Sequence, residues 1–198
     1  MTRHQISRTD IMDMDAYGDV RVERRRAMTQ TKKNRRVSVG PDATFYFESY
    51  QTMLHQIHEM LFIERGGEEQ INDELSAYNP LIPNGRELVA TLMFEIDDPD
   101  RRAAFLEGLG GIENNITLSI GDQVVTAVPE DDVERTSATG KASSIHFLHF
   151  PFSEEQITAM RQDDARVVLG IEHKKYAHMA ILPDDTRRAL VGDFDEFI

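Results

Sequence analysis

The sequence predicts an α+β fold, with a mainly antiparallel sheet and the N-terminal helices packed on one of its faces. Three observations predict it. Helical apolar spacing is concentrated at the front of the chain, over residues 13–35 and 49–77. Short runs rich in β-branched and aromatic residues, divided by turn signals, fill residues 86–183. The length of 198 residues and hydrophobic content of 40% suit one domain, residues 1–198, with one sizeable core.

The elements follow in order. Over 13–35, Met14, Tyr17, Val20, Ala27 and Thr31 form a thin apolar seam at mostly three- and four-residue spacing, and Gly18 weakens it. "RVSVGPDATFYFE" reads as two short strands broken by a turn at Gly40-Pro41. The strongest helix is "SYQTMLHQIHEMLFIERGG", with a core stripe of Leu54, Ile57 and Leu61 and a stop at Gly66-Gly67. A second helical piece covers 68–77, and Pro80 and Pro83 then stiffen an extended loop.

"RELVATLMFEI" is a strand, followed by a short helix with Asp98 as N-cap and Pro99 in its first turn. "ITLSIGDQVVTAV" is a hairpin turning at Gly121-Asp122. A polar loop, "ERTSATGKASS", leads into the strand "SIHFLHFPF". Ser153 and Gln156 form a capping box for a helix over 154–162. A last hairpin, "LGIEHKKYAHMAIL", a short helix near 185–191 and an acidic tail complete the chain.

Charge is unevenly placed. The net charge is −13, yet residues 21–36 carry eight of the 22 Lys and Arg residues against one acid, Glu23. Arg24, Arg25, Arg26, Lys32, Lys33, Arg35 and Arg36 are thus candidates for binding an anion or a partner. The acidic remainder would repel a phosphate backbone, and no aromatic in the segment can stack on bases, so a subunit- or body-docking helix is preferred over nucleic-acid binding. There is no apolar run of the roughly 20 residues a bilayer requires, no secretory leader, and no cysteine for thiol or Fe–S chemistry. A cytoplasmic, non-membrane protein is expected.

The histidines give the site candidates. With Lys174–Ala177 as a four-residue loop, His173 faces His178 across the last hairpin, close enough to share a divalent metal or a proton, or to stack as ordinary structural histidines. On the helix, His55, His58 and Glu59 crowd one side, but Phe62 occupies the position an HExxH motif needs for histidine. His146 and His149, three apart on a strand, face opposite sides. His146 is the better pocket candidate, because it follows the loop carrying Lys141. Phosphate-binding, dinucleotide-binding and serine-hydrolase signatures are absent from the sequence.

The set "RRVSVGPDATFYFE", "YNPLIPNGRELVATLMFEI", "LGGIE", "GKASSIHFLHF" and "LGIEHKKY" resembles a bacterial family catalogued as a domain of unknown function. The resemblance spans about residues 6–182 and implies a gene context beside rubrerythrin-like proteins and Fe–S oxidoreductases. It covers His146, Gly170, His173 and Tyr176 and leaves His55, His58 and His178 outside its motifs. Two functions are expected from this. One is a non-catalytic accessory, as a homodimer with a redox partner. The other is a small metal- or ligand-dependent enzyme with a pocket near His146, His173, Tyr176 and Lys141.

Overall fold

The computed structural model describes residues 3–130 and 141–197. The loop expected at residues 134–144 falls largely outside them. Six helices are described: α1 (Met14–Lys33), α2 (Tyr50–Glu64), α3 (Gly67–Tyr78), α4 (Pro99–Leu106), α5 (Glu154–Arg161) and α6 (Asp184–Val191). The strands are β1 (Arg36–Val39), β2 (Ala43–Phe47), β3 (Glu87–Phe94), β4 (Ile116–Ile120), β5 (Gln123–Thr126), β6 (Val128–Pro129), β7 (Ile145–Pro151), β8 (Val167–His173) and β9 (Tyr176–Ile181). They form two antiparallel sheets, in the orders β1-β2-β3-β7-β6 and β5-β4-β8-β9. The sequence suggested one sheet. The chain instead passes between two sheets three times, after β3, after β5 and after β7.

β3 explains the layering. Leu88, Ala90, Leu92 and Phe94 point into a core shared with Phe45, Leu118, Leu148 and Leu169, between the sheets. Val89 points the other way, into a second core with Met53, Ile57 and Leu61 of α2. A strand buried on both faces reads as a continuous apolar run, and β3 does. The N-terminal helices therefore cover one face of the first sheet, as expected. The buried α2 stripe is Met53, Ile57 and Leu61, at four-residue spacing; Leu54 is only partly buried.

Local chemistry sets the element ends. Asp13 caps α1, accepting from the Asp15 and Ala16 amides. The Asp98 cap and the Ser153–Gln156 capping box both form. Gly18, which weakened the α1 reading, has a packing role: a Cβ there would stand 3.1 Å from the Phe62 ring.

The last hairpin turns at Lys174-Lys175, two residues rather than four. His173 therefore pairs with Tyr176, and His178 with Ile171. Shortening a loop by two keeps every side chain on its face, so the apolar pattern fits both registers.

Candidate functional site

Tyr176 was expected to line a pocket, and its hydroxyl is already committed. It donates to the Val39 carbonyl (2.7 Å) and accepts from the Asp42 and Ala43 amides (both 3.1 Å). Those three groups belong to the β1–β2 turn, so Tyr176 pins the first sheet to the second. Burial raises its pKa. Its ring and that of His146 each make edge contacts with Phe94, with centroids 6.0 and 6.1 Å away.

His146 is wholly buried. Its Nε2 lies 2.9 Å from the Ser143 carbonyl, which assigns the ring proton to Nε2. Its Nδ1 then faces Glu113 Oε2 at 4.0 Å. His173 is also buried, its Nδ1 accepting from the Lys175 amide at 3.3 Å. Burial, reinforced by Lys174, holds its pKa below the ordinary value. Lys141 is exposed. His146 and Tyr176 thus meet around Phe94, in a packed arrangement of rings.

The register of the hairpin histidines requires correction. In the observed register His173 and His178 are diagonal neighbours, about 7–8 Å apart at Cα by strand geometry. His178 is exposed and packs its ring on Tyr176 at 4.5 Å. Among the described residues, no group of three or more His, Asp or Glu is placed to hold a metal ion.

Of the helix histidines, His58 is structural. His58 Nδ1 meets the Leu54 carbonyl at 2.8 Å and Nε2 accepts from the Met12 amide at 3.0 Å, so both nitrogens are used. Its ring stacks on Tyr17 at 4.8 Å. Glu59 accepts from Tyr17 (2.8 Å) and bidentately from Arg21 (2.8 Å each).

The basic run divides. Arg35 leaves the anion-binding set: it is buried, donates to the Phe47 and Glu48 carbonyls at 2.9 and 2.7 Å, and pairs with Asp193. Arg36 lies on β1 against Glu95 at 3.2 Å. Lys32 is half-buried at the mouth of a cavity of about 170 Å³. Arg24, Arg25, Arg26 and Lys33 stay exposed on α1, whose one buried residue is Tyr17. Of these four, Arg25 has a distant acid, Glu59 at 3.8 Å.

Two polar sites escaped the sequence. In the cavity beside Lys32, the buried Glu48 carboxylate accepts from Thr52 (2.7 Å) and Thr91 (2.8 Å). Its place just before α2 makes it a helix-terminal carboxylate as well. On the helix-facing side of the first sheet, His149 lies between Glu87 (3.1 Å) and Glu130 (3.5 Å). The hydrogen bond to Glu87 leads in raising the His149 pKa, with Glu130 adding to it. The opposite faces of His146 and His149 were readable; the strands that bring in the two glutamates were not.

A family model described as a protein of unknown function (DUF3501) matches residues 5–194. The crystal structure of a novel protein of unknown function from Burkholderia pseudomallei K96243 is 34% identical, with a TM-score of 0.89. The match covers 96% of this chain and 100% of that one. No curated protein matches the chain.

Proposed function

The chain belongs to DUF3501, a family of unknown function, and we propose that it is a non-catalytic accessory protein, a cytoplasmic homodimer that docks a redox partner. The observation that carries this reading is α1. Arg24, Arg25, Arg26 and Lys33 project into solvent from one helix, on a chain with net charge −13. A basic helix raised on an acidic body attracts an acidic protein surface. The gene context implied by the family resemblance supplies the partner class, rubrerythrin-like and Fe–S oxidoreductase proteins. Among the described residues no helix is long and apolar enough to cross a membrane, which fits such a role.

A second reading is favoured by the buried His146–Glu113 approach at 4.0 Å beside His173: a small metal- or ligand-dependent enzyme working at that end of the two-sheet body.

The test is titration calorimetry of this protein against each redox protein encoded beside it, at low and high salt. The accessory reading expects saturable binding that weakens with salt. No binding to either protein, with metal- or substrate-dependent turnover at His146, would replace it with the second reading.

A further inference from the structure

We infer that the outer face of the second sheet, β5-β4-β8-β9, is a two-fold interface with a second copy of this chain. This rests on the homodimer part of the proposed function and says where the dimer forms. It is independent of docking through α1.

The face is read from the register. One row across the four strands is Val124, Ser119, Val168 and Ile181. The next is Thr126, Thr117, Gly170 and Met179. Neither row holds a charge, in a chain that is 29% charged. An antiparallel sheet with one solvated face ordinarily turns polar and charged residues to water. Here Val124, Ile181 and Met179 are instead 54%, 57% and 64% exposed. Gly170 lets the Met179 side chain lie across the strand, since a Cβ there would touch Met179 Cγ at 3.4 Å.

Charge selects the occupant. The outward positions of β8 are Val168, Gly170 and Glu172, and Arg166 stands one residue before the strand, lining with Asp122 one end of the groove formed by Val168, Met179 and Ile181. Arg166 and Glu172 stand about 20 Å apart along the strand, too far to pair within one chain. Neither has an ion-pair partner among the described residues. A two-fold axis lying in the interface, perpendicular to β8 at Leu169, lays one β8 antiparallel over the other. Arg166 then meets the second copy's Glu172, and Glu172 its Arg166. The uncharged rows stack between the two pairs, and the same patch serves both copies, as an isologous interface requires. An apolar centre with a charged rim is the ordinary anatomy of such a contact.

The experiment is sedimentation velocity of the full chain over a concentration series, with melting temperature as the folding control. The wild type is expected to dimerise. Met179→Lys/Ile181→Lys, at side chains already more than half exposed, is expected to be monomeric with an unchanged melting temperature. Arg166→Glu and Glu172→Arg are each expected to weaken the dimer about a hundredfold, because one substitution breaks both symmetry-related ion pairs at about tenfold each. The double exchange Arg166→Glu/Glu172→Arg is expected to restore it, which two groups so far apart in one chain can do only across copies. A wild type that stays monomeric overturns both the face and the homodimer. A dimer indifferent to Met179→Lys/Ile181→Lys overturns the face and leaves the homodimer standing. A double exchange no tighter than either single overturns the antiparallel pairing.

Discussion

The Arg35 guanidinium pairs in the interior with the Asp193 carboxylate, joining residues 158 positions apart. Arg35 stands where α1 ends and β1 begins, and its other donors hold the Phe47 and Glu48 carbonyls. Burial raises the Asp193 pKa and the adjacent guanidinium opposes the rise. Removing one member strands a charge in the interior. Arg35→Ala should therefore cost about 3–5 kcal/mol in urea denaturation. The double change Arg35→Met/Asp193→Leu should recover part of that loss. It cannot recover all, because the two carbonyls lose their donor.

Tyr176→Phe removes one donor and one shared acceptor from the β1–β2 turn while keeping the ring packing. The expected cost is about 1–3 kcal/mol. Amide exchange should quicken at Asp42 and Ala43, and exchange in β8 should change little. Unaltered exchange at Asp42 would contradict the pinning role.

His149 gives a pH dependence with a definite sign. Its folded pKa is raised above the ordinary histidine value of about 6.5 by Glu87 first and Glu130 after it. The folded state thus holds the proton more tightly than the unfolded state does. The stabilisation is fully present below about pH 6.5 and is lost as pH rises through the folded pKa. Urea midpoints measured from pH 6 upward should fall more steeply for the wild type than for His149→Gln. Parallel curves would rule the contribution out.

Burial of His58 works in the opposite sense. Its pKa is lowered chiefly by desolvation, so its contribution is present above the unfolded value and is lost as pH falls through the folded pKa. His58→Gln should leave the Met12 amide or the Leu54 carbonyl without its present partner. It should lower the melting temperature at pH 8 and narrow the gap to wild type at pH 5.

Much of the fold was legible. The Asp98 cap, the Gly121 turn and the Ser153–Gln156 box are local signals, and each forms where its residues stand; α2 instead ends on a left-handed Arg65, and Gly66 and Gly67, read as its stop, open α3. The last hairpin was not legible to its register. Two- and four-residue loops bury the same side chains, and Lys174-Lys175 lacks the glycine or asparagine that marks a tight turn. The division into two sheets depends on which strands pair across the connections after β3, β5 and β7, and those long-range pairings leave no local mark. The polar sites follow the same rule. Arg35 read as one more cation in a basic run, because its burial depends on Asp193 at the far end of the chain. His149 gave no sign of its two glutamates, because strand order brings them in.

For α1, Arg24→Glu/Arg25→Glu/Arg26→Glu should weaken binding of the proposed redox partner by tenfold or more, with the loss shrinking at high salt. These side chains are exposed, so the melting temperature should hold.

The most direct measurement is hydrogen–deuterium exchange of the protein alone and saturated with that partner. The accessory account predicts new protection concentrated in residues 21–33, with residues 142–146 and 173–176 unchanged. Protection at those two segments with α1 unaffected would contradict it, and would place function at the buried His146, Glu113 and His173 end of the molecule.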